Sequence, residues 1–304
     1  MVRKHTRRAA KAAYAISLGV AIVIGLIAAG AGTAASTAKG TVTIGTKNFT
    51  EQYVLGQLYK QALEAKGYKV VYKENIGNSE LTDTAIKSGK INFYPEYDGV
   101  IVTDLAKQPF PKTASATYAA AKSWEEGRGL TLLKATPFYD SDGFVVTTKT
   151  AQKLGVKTIA DMKKVKSFSY GGYPECKTRI TCLLGLKNVY GLKQTKFVPL
   201  ASISVYTLLD QGKLTGGDGF STDPQLQGSK YTVLKDTKHI FGFQNVAPVL
   251  TKKLAADKTL VKTVNAVSAK LTIPAMIAMN KAVAVDKKSA ADVAGSFLKA
   301  NNLG

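Results

Sequence analysis

Histidine is nearly missing. The 304-residue chain has two, His5 and His239, and His5 falls in an N-terminal segment read below as a targeting signal. A Ser-His-Asp or Cys-His mechanism therefore has one base to draw on, with no local motif around it. No HExxH, no Walker-type phosphate loop and no Gly-x-Ser-x-Gly elbow occurs. Scarce histidine leaves carboxylate chemistry open, but an enzyme is not expected. With the histidines far from both cysteines, no metal site and no cofactor are expected either. Acidic residues are also few, 21 against 42 Lys and Arg, which gives a net charge of +21. A nucleic-acid binder can look like this, yet here the basic residues are scattered as single lysines rather than gathered into one tract. No nucleic-acid partner is expected; attraction to an acidic cell-wall or lipid surface, or plain solubility, accounts for the charge. After about residue 40 no apolar run reaches membrane length, so the chain is not itself a channel.

What is present is ordinary globular composition, 45% hydrophobic and 21% charged, behind an atypical first segment. Arg3, Lys4, Arg7, Arg8 and Lys11 form a basic head without acidic neighbours, an apolar run follows from Ala12 to about Ala35, and small residues cluster at Ala34 to Ala38. This is the layout of a secretory signal, cleaved near Ala38, or of an uncleaved N-terminal anchor. It points to an exported protein, at the extracellular face of the cytoplasmic membrane or in a periplasm. Without residues 1–38 the charge is still about +16. An oxidising compartment suits a disulfide between Cys176 and Cys182. Six residues apart in one straight helix they cannot meet, because the rise alone is ~9 Å. A bond places Cys176 in the loop before a helix; the alternative is two buried thiols.

Strand-like and helix-like stretches alternate after residue 40. Residues 41–45, 68–72 and 91–94 read as strands, the last closed by Pro95. Between them fall a helix carrying Val54, Leu58, Ala62 and Ala65, stopped by Gly67, and a second one capped by Ser79 with Leu81, Ala85 and Ile86 inward. Further strands are read at 143–148, 167–170, 196–199, 217–220 and 231–234, and helices at 177–190 and 203–211. From about Ala255 the pattern is helical. Such alternation predicts an α/β fold with parallel-rich sheets. In such sheets ligands bind beyond the carboxyl ends of the strands, where Lys47, Tyr94, Tyr97, Asp140, Asp142, Arg179 and the run Phe220 to Asp223 are expected. Taken singly, each also fits a blander role: Lys47 and Arg179 as surface charges, Tyr97 as a packing residue, Asp142 as a turn residue before Gly143.

Three ordered stretches resemble the glycine betaine/choline (osmoprotectant) substrate-binding family of ABC importers: Gly45-Thr-Lys-Asn-Phe-Thr-Glu-Gln52, Gly89-Lys-Ile-Asn-Phe-Tyr-Pro-Glu-Tyr-Asp-Gly99 and Phe220-Ser-Thr-Asp223. The likeness runs from about residue 41 to the C-terminus. It implies a two-lobed periplasmic-binding-protein-like fold (type II) with a two-stranded hinge and the ligand in the interlobe cleft. Lobe 1 would hold residues 39–142 plus 246–304, and lobe 2 residues 143–245. It also implies a small zwitterionic or cationic ligand, permease subunits as partners and, through them, an ATPase.

The family cages a quaternary ammonium with tyrosines, whose ring faces attract a cation that cannot donate hydrogen bonds. A lysine, an arginine and a hydroxyl hold the carboxylate. Carried over by position, Lys47 matches the lysine, Tyr97 one cage tyrosine and Arg179, four residues after Glu175, the arginine; Phe220 stands where a tyrosine is usual. Val100 replaces a threonine, while Asp142 and Gln244 fall where further cage tyrosines are expected. With two rings replaced by a carboxylate and an amide, the expected alternative ligand is an amino acid or related N–H-bearing zwitterion. Its carboxylate is then read by Lys47 and Arg179, and its N–H group by Asp142 and Gln244. A surface-anchored receptor or adhesion module is the reading from another class.

Overall fold

The computed structural model describes residues 39–200 and 203–304; the signal or anchor expected at residues 1–38 lies outside the described residues. Lys39–Gly304 form one compact unit. Four strands come first: β1 (Val42–Lys47), β2 (Val70–Gly77), β3 (Phe93–Tyr97) and β4 (Leu130–Leu132). Five follow: β5 (Asp142–Thr147), β6 (Phe168–Gly172), β7 (Thr195–Pro199), β8 (Gly216–Phe220) and β9 (Tyr231–Val233); β10 (Val246–Thr251) is last. They form two sheets of the same plan, ordered β2-β1-β3-β10-β4 and β7-β6-β8-β5-β9. In each, the first three strands pair in parallel and the remaining pairings are antiparallel.

The strands β5 and β10 hold equivalent fourth places, and they are the strands by which the chain enters the second sheet and re-enters the first. Just before them an antiparallel bridge joins Tyr139 to Asn245, so the two crossing segments are bound side by side. The carboxyl ends of β1, β3, β6 and β8 and the amino ends of β5 and β10 all lie along this line of crossing. That geometry brings strand-end residues far apart in sequence to one cleft.

Each sheet is covered on both faces, which is why β1 reads as a nearly unbroken buried run. On one face Val42 and Ile44 pack with Val54, Leu58 and Ala62 of the helix Thr50–Ala65 and with Leu260, Val264 and Met276 from the C-terminal helices. On the other, Tyr94 and Leu132 pack with Ile86, Val102 and Ala121. The second sheet is lined in the same way, by Phe144, Tyr170 and Leu186 on one side and Val145, Val205 and Leu209 on the other. Helix Thr50–Ala65 stops where expected: Gly67 takes φ +80°, and its N–H donates to Glu64 O at 2.8 Å.

Several local expectations are corrected. Asn78, not Ser79, caps the helix Ser79–Lys87, accepting from Leu81 N–H at 3.1 Å; this frees the Ser79 hydroxyl for the cleft. Leu81, expected inward, is exposed. The strand expected at 68–72 is β2, displaced toward the C-terminus. Pro95 sits inside β3 rather than closing it, directly opposite Pro248 of β10, so the missing N–H donors fall at one rung. The long helix expected over 177–190 is broken: a 3₁₀ turn, Pro174–Thr178, and a short helix, Leu183–Asn188, flank the segment between the cysteines. The short strand β4, the proline-containing β10 and the helix Ala114–Gly127 gave no recognised periodic signal.

Candidate functional site

All six residues singled out for the ligand, Lys47, Tyr97, Asp142, Arg179, Phe220 and Gln244, line one cavity between the two sheets. It holds about 60 Å³, room for a small solute rather than a peptide.

Four aromatic rings cross it in a row. Tyr97 at the end of β3 stacks on Phe49 just after β1, with centroids 6.3 Å apart. Phe49 lies parallel to Phe220 at the end of β8, at 6.4 Å and 6°. Phe220 meets Tyr173, after β6, at 6.3 Å. Two rings come from each sheet, so the row exists only when the sheets face one another. Phe49 and Tyr173 were missed as site residues, although Phe49 lies within the first matching stretch. On the far side of the Phe49–Phe220–Tyr173 row is a larger cavity of about 450 Å³, reached by Glu51, Thr222 and Asn280.

Lys47 is only 3% exposed. Its ammonium is ion-paired with Glu96, hydrogen-bonded to Ser79 Oγ at 3.1 Å and placed 4.1 Å from the Tyr97 ring centroid. Burial pulls its pKa down, and Glu96 opposes that shift. Lys47 thus anchors β1 to β3 beneath the rings; its charge is already matched within the protein. Arg179 reaches the other way, from the second half to the first: Nη2 donates to Glu80 Oε2 at 3.2 Å, and Nε lies 3.8 Å from Asp104 Oδ2 without a hydrogen bond. The disulfide Cys176–Cys182 is formed, with Arg179 midway between its two ends. Among the described residues the one close group of metal-ligand types is Cys176, Cys182 and Asp218; with both sulfurs bonded to each other, it offers a single carboxylate.

Gln244 is 1% exposed, and its Oε1 accepts from Val100 N–H at 3.0 Å. Nε2 is buried without a partner. Gly99 makes this approach possible, since a Cβ there would stand 2.6 Å from Gln244 Oε1 and 2.2 Å from Phe243 O. The amide therefore presents a donor, not the acceptor that a ligand N–H would need. This corrects the expected pairing of Gln244 with an N–H group.

Carboxylates crowd the cleft. Asp142 opens β5, and Asp218 on β8 lies on the same face of the sheet, two positions from Phe220, which pairs with Asp142. Tyr170 OH donates to Asp218 at 3.3 Å. Asp140 accepts from Thr222 N–H at 3.0 Å. Burial raises all three carboxyls, Asp142 to about 7 against the pull of Arg179. Glu51, buried on the helix after β1, receives three bonds: Tyr97 OH at 2.8 Å, Thr222 Oγ1 at 2.6 Å and Asn280 Nδ2 at 3.0 Å. Burial raises its pKa, and these donors moderate the shift.

The comparisons with known proteins agree with this architecture. Residues 40–300 match the family described as the substrate-binding domain of ABC-type glycine betaine transport systems. The glycine-betaine-binding protein of Pseudomonas aeruginosa is 29% identical over 276 residues, 86% of this chain and 88% of that one. The carnitine transport binding protein OpuCC of Listeria monocytogenes is 26% identical, covering 87% and 88%. The crystal structure of a glycine betaine/carnitine/choline ABC transporter component superposes with a TM-score of 0.69 at 25% identity, over 86% of this chain and 99% of that one. The fold is thus the two-lobed type II binding-protein fold, and the chain belongs to the family of substrate-binding domains of ABC-type glycine betaine transport systems.

Proposed function

We propose that the protein is the extracytoplasmic binding component of an ABC importer and captures a small zwitterionic or cationic solute of the betaine and choline class. The observation that carries this is the row of four rings built two from each sheet, with an excess of carboxylates around it. Ring faces and carboxylates both favour a cation, by ~0.5–2 kcal/mol per well-placed ring. The work is binding with closure of two lobes, residues 39–142 plus 246–304 against 143–245, about the paired crossing segments. No bond is made or broken. The loaded form would then dock on permease subunits coupled to an ATPase. Export fits the basic and apolar residues 1–38, and a basic surface fits a place beside an acidic membrane or wall. Among the described residues no helix is long and apolar enough to cross a membrane.

The six residues first singled out are proposed as the ligand site, in altered roles. Arg179 and Gln244 supply donors for a carboxylate, Tyr97 and Phe220 supply ring faces with Phe49 and Tyr173, Asp142 faces the cation, and Lys47 supports Tyr97 through Glu96. A thermal-shift screen with glycine betaine, choline, carnitine, proline and the twenty amino acids tests the reading. A ligand at 100 times its Kd adds ~2.7 kcal/mol, a clear rise in Tm. No shift with any compound would favour a surface-anchored receptor instead.

A further inference from the structure

The cleft holds both carboxylate acceptors and buried donors without a hydrogen bond, and this narrows the ligand class within the function proposed above, on which the inference rests. A quaternary ammonium offers only methyl groups, so a site shaped for it needs ring faces and gains nothing from directed acceptors. Here the carboxylates of Asp142 and Asp218 line the cavity from one sheet face. Asp140 joins them from the crossing segment, accepting from Thr222 N–H at 3.0 Å and lying 2.8 Å from the Thr222 hydroxyl. Independently of these acids, Gln244 lines the same cavity and holds a buried Nε2 donor without a partner. Its amide orientation is fixed by Val100 N–H, which requires Oε1 on its side. A buried donor without a partner carries a desolvation cost until something fills it, and a ligand carboxylate oxygen is the matching acceptor. Arg179 Nε, 3.8 Å from Asp104 Oδ2, is a second buried donor without a hydrogen bond.

We infer that the cavity selects a carboxylate-bearing solute whose cationic nitrogen carries N–H bonds, with Gln244 and Arg179 on the carboxylate and Asp142 and Asp218 accepting from the nitrogen. Methylation of that nitrogen removes one donor at a time while leaving charge and carboxylate in place. Each hydrogen bond between charged partners is worth ~1.5–3 kcal/mol, so losing one weakens binding roughly 10- to 100-fold.

The test uses two methylation series on the unmodified protein, followed by calorimetry: glycine, N-methylglycine, N,N-dimethylglycine and glycine betaine, then proline, N-methylproline and proline betaine. The tightest ligand in each series that binds is expected to carry an N–H, with the fully methylated member at least tenfold weaker. Asp142→Asn is expected to weaken the N–H-bearing member at least tenfold and the quaternary member by a smaller factor, since the latter loses only charge attraction and no hydrogen bond. Gln244→Leu, which removes the free donor, should weaken every binding member alike. A fully methylated member that binds tightest overturns the inference while leaving the proposed function standing. Binding by no member of either series, or of the wider screen, removes the proposed function and the inference with it.

Discussion

Glu51, on the helix after β1, accepts a hydrogen bond of 2.6 Å from Thr222 Oγ1, just after β8 of the other sheet. The same hydroxyl oxygen lies 2.8 Å from Asp140 Oδ1. One hydroxyl carries one proton, so it donates to one of these carboxyls and accepts from the other. Burial raises the pKa of both acids, which favours a proton on the carboxyl that faces the hydroxyl's lone pair. The contact therefore links the helix Thr50–Ala65 to the segment after β8 through one hydroxyl, beside the stacked pair Phe49–Phe220.

Thr222→Val keeps the side-chain shape and deletes the hydroxyl. An intramolecular hydrogen bond contributes ~0.5–1.5 kcal/mol, so the contact between the two halves should weaken by about that much. Small-angle X-ray scattering of the ligand-free variant is expected to show a larger radius of gyration. A profile identical to that of the parent would show that this bond does not hold the lobes together.

Lys47 was first read as a ligand-facing cation, whereas its ammonium is paired with buried Glu96. Removing one partner of a buried ion pair strands the other, typically at ~3–5 kcal/mol. Lys47→Met should accordingly lose stability in urea unfolding by about that amount. Lys47→Met combined with Glu96→Gln should recover much of it, because no stranded charge remains. Equal instability in the single and double variants would place the role of Lys47 outside this pair.

The disulfide closes a short loop around Arg179. Loop-closure entropy for so short a segment gives roughly 2 kcal/mol, expected as a lower Tm in Cys176→Ser/Cys182→Ser. A looser loop must also order the guanidinium on binding, which costs affinity. A several-fold rise in Kd for the ligand found in the screen is expected; an unchanged Kd would leave the disulfide a purely structural staple.

Stability of the ligand-free protein should fall as pH rises from about 5 to 8. Burial raises Asp98, Asp142 and Glu125 to about 7 and Asp223 to about 6. Between their unfolded and folded pKa values the folded chain binds more protons than the unfolded one, so raising the pH favours unfolding. Half-buried Asp161 and exposed Asp210 are lowered, by the Lys157 N–H and by Lys230 respectively, and act in the opposite sense; their contribution is lost as pH falls through their folded values. The buried groups outnumber them in the window near neutrality. A Tm measured by circular dichroism at constant ionic strength checks the slope, and a rising Tm over that range would contradict it. A cation bound beside Asp142 should flatten the fall, because it favours the ionised carboxylate, and its affinity should improve up to about pH 7.

The amino-acid sequence by itself determined the alternation of strands and helices, the helix stop at Gly67, the loop placement that lets Cys176 and Cys182 bond, and the set of charged and aromatic residues at strand ends. These rest on short-range periodicity and on residues whose backbone or charge preference acts locally. Three matching stretches also carried the family, because motif order survives where overall identity is low. What each site residue does was decided by the tertiary structure. Lys47 meets a partner 49 positions away, Glu51 one 171 positions away and Val100 one 144 positions away, and no local pattern encodes such pairings. They arise because β5 and β10 enter their sheets at equivalent places and bring six strand ends to one cleft. There burial raises the pKa of Asp142, and a single N–H, that of Val100, takes the Gln244 oxygen and leaves its Nε2 unpaired.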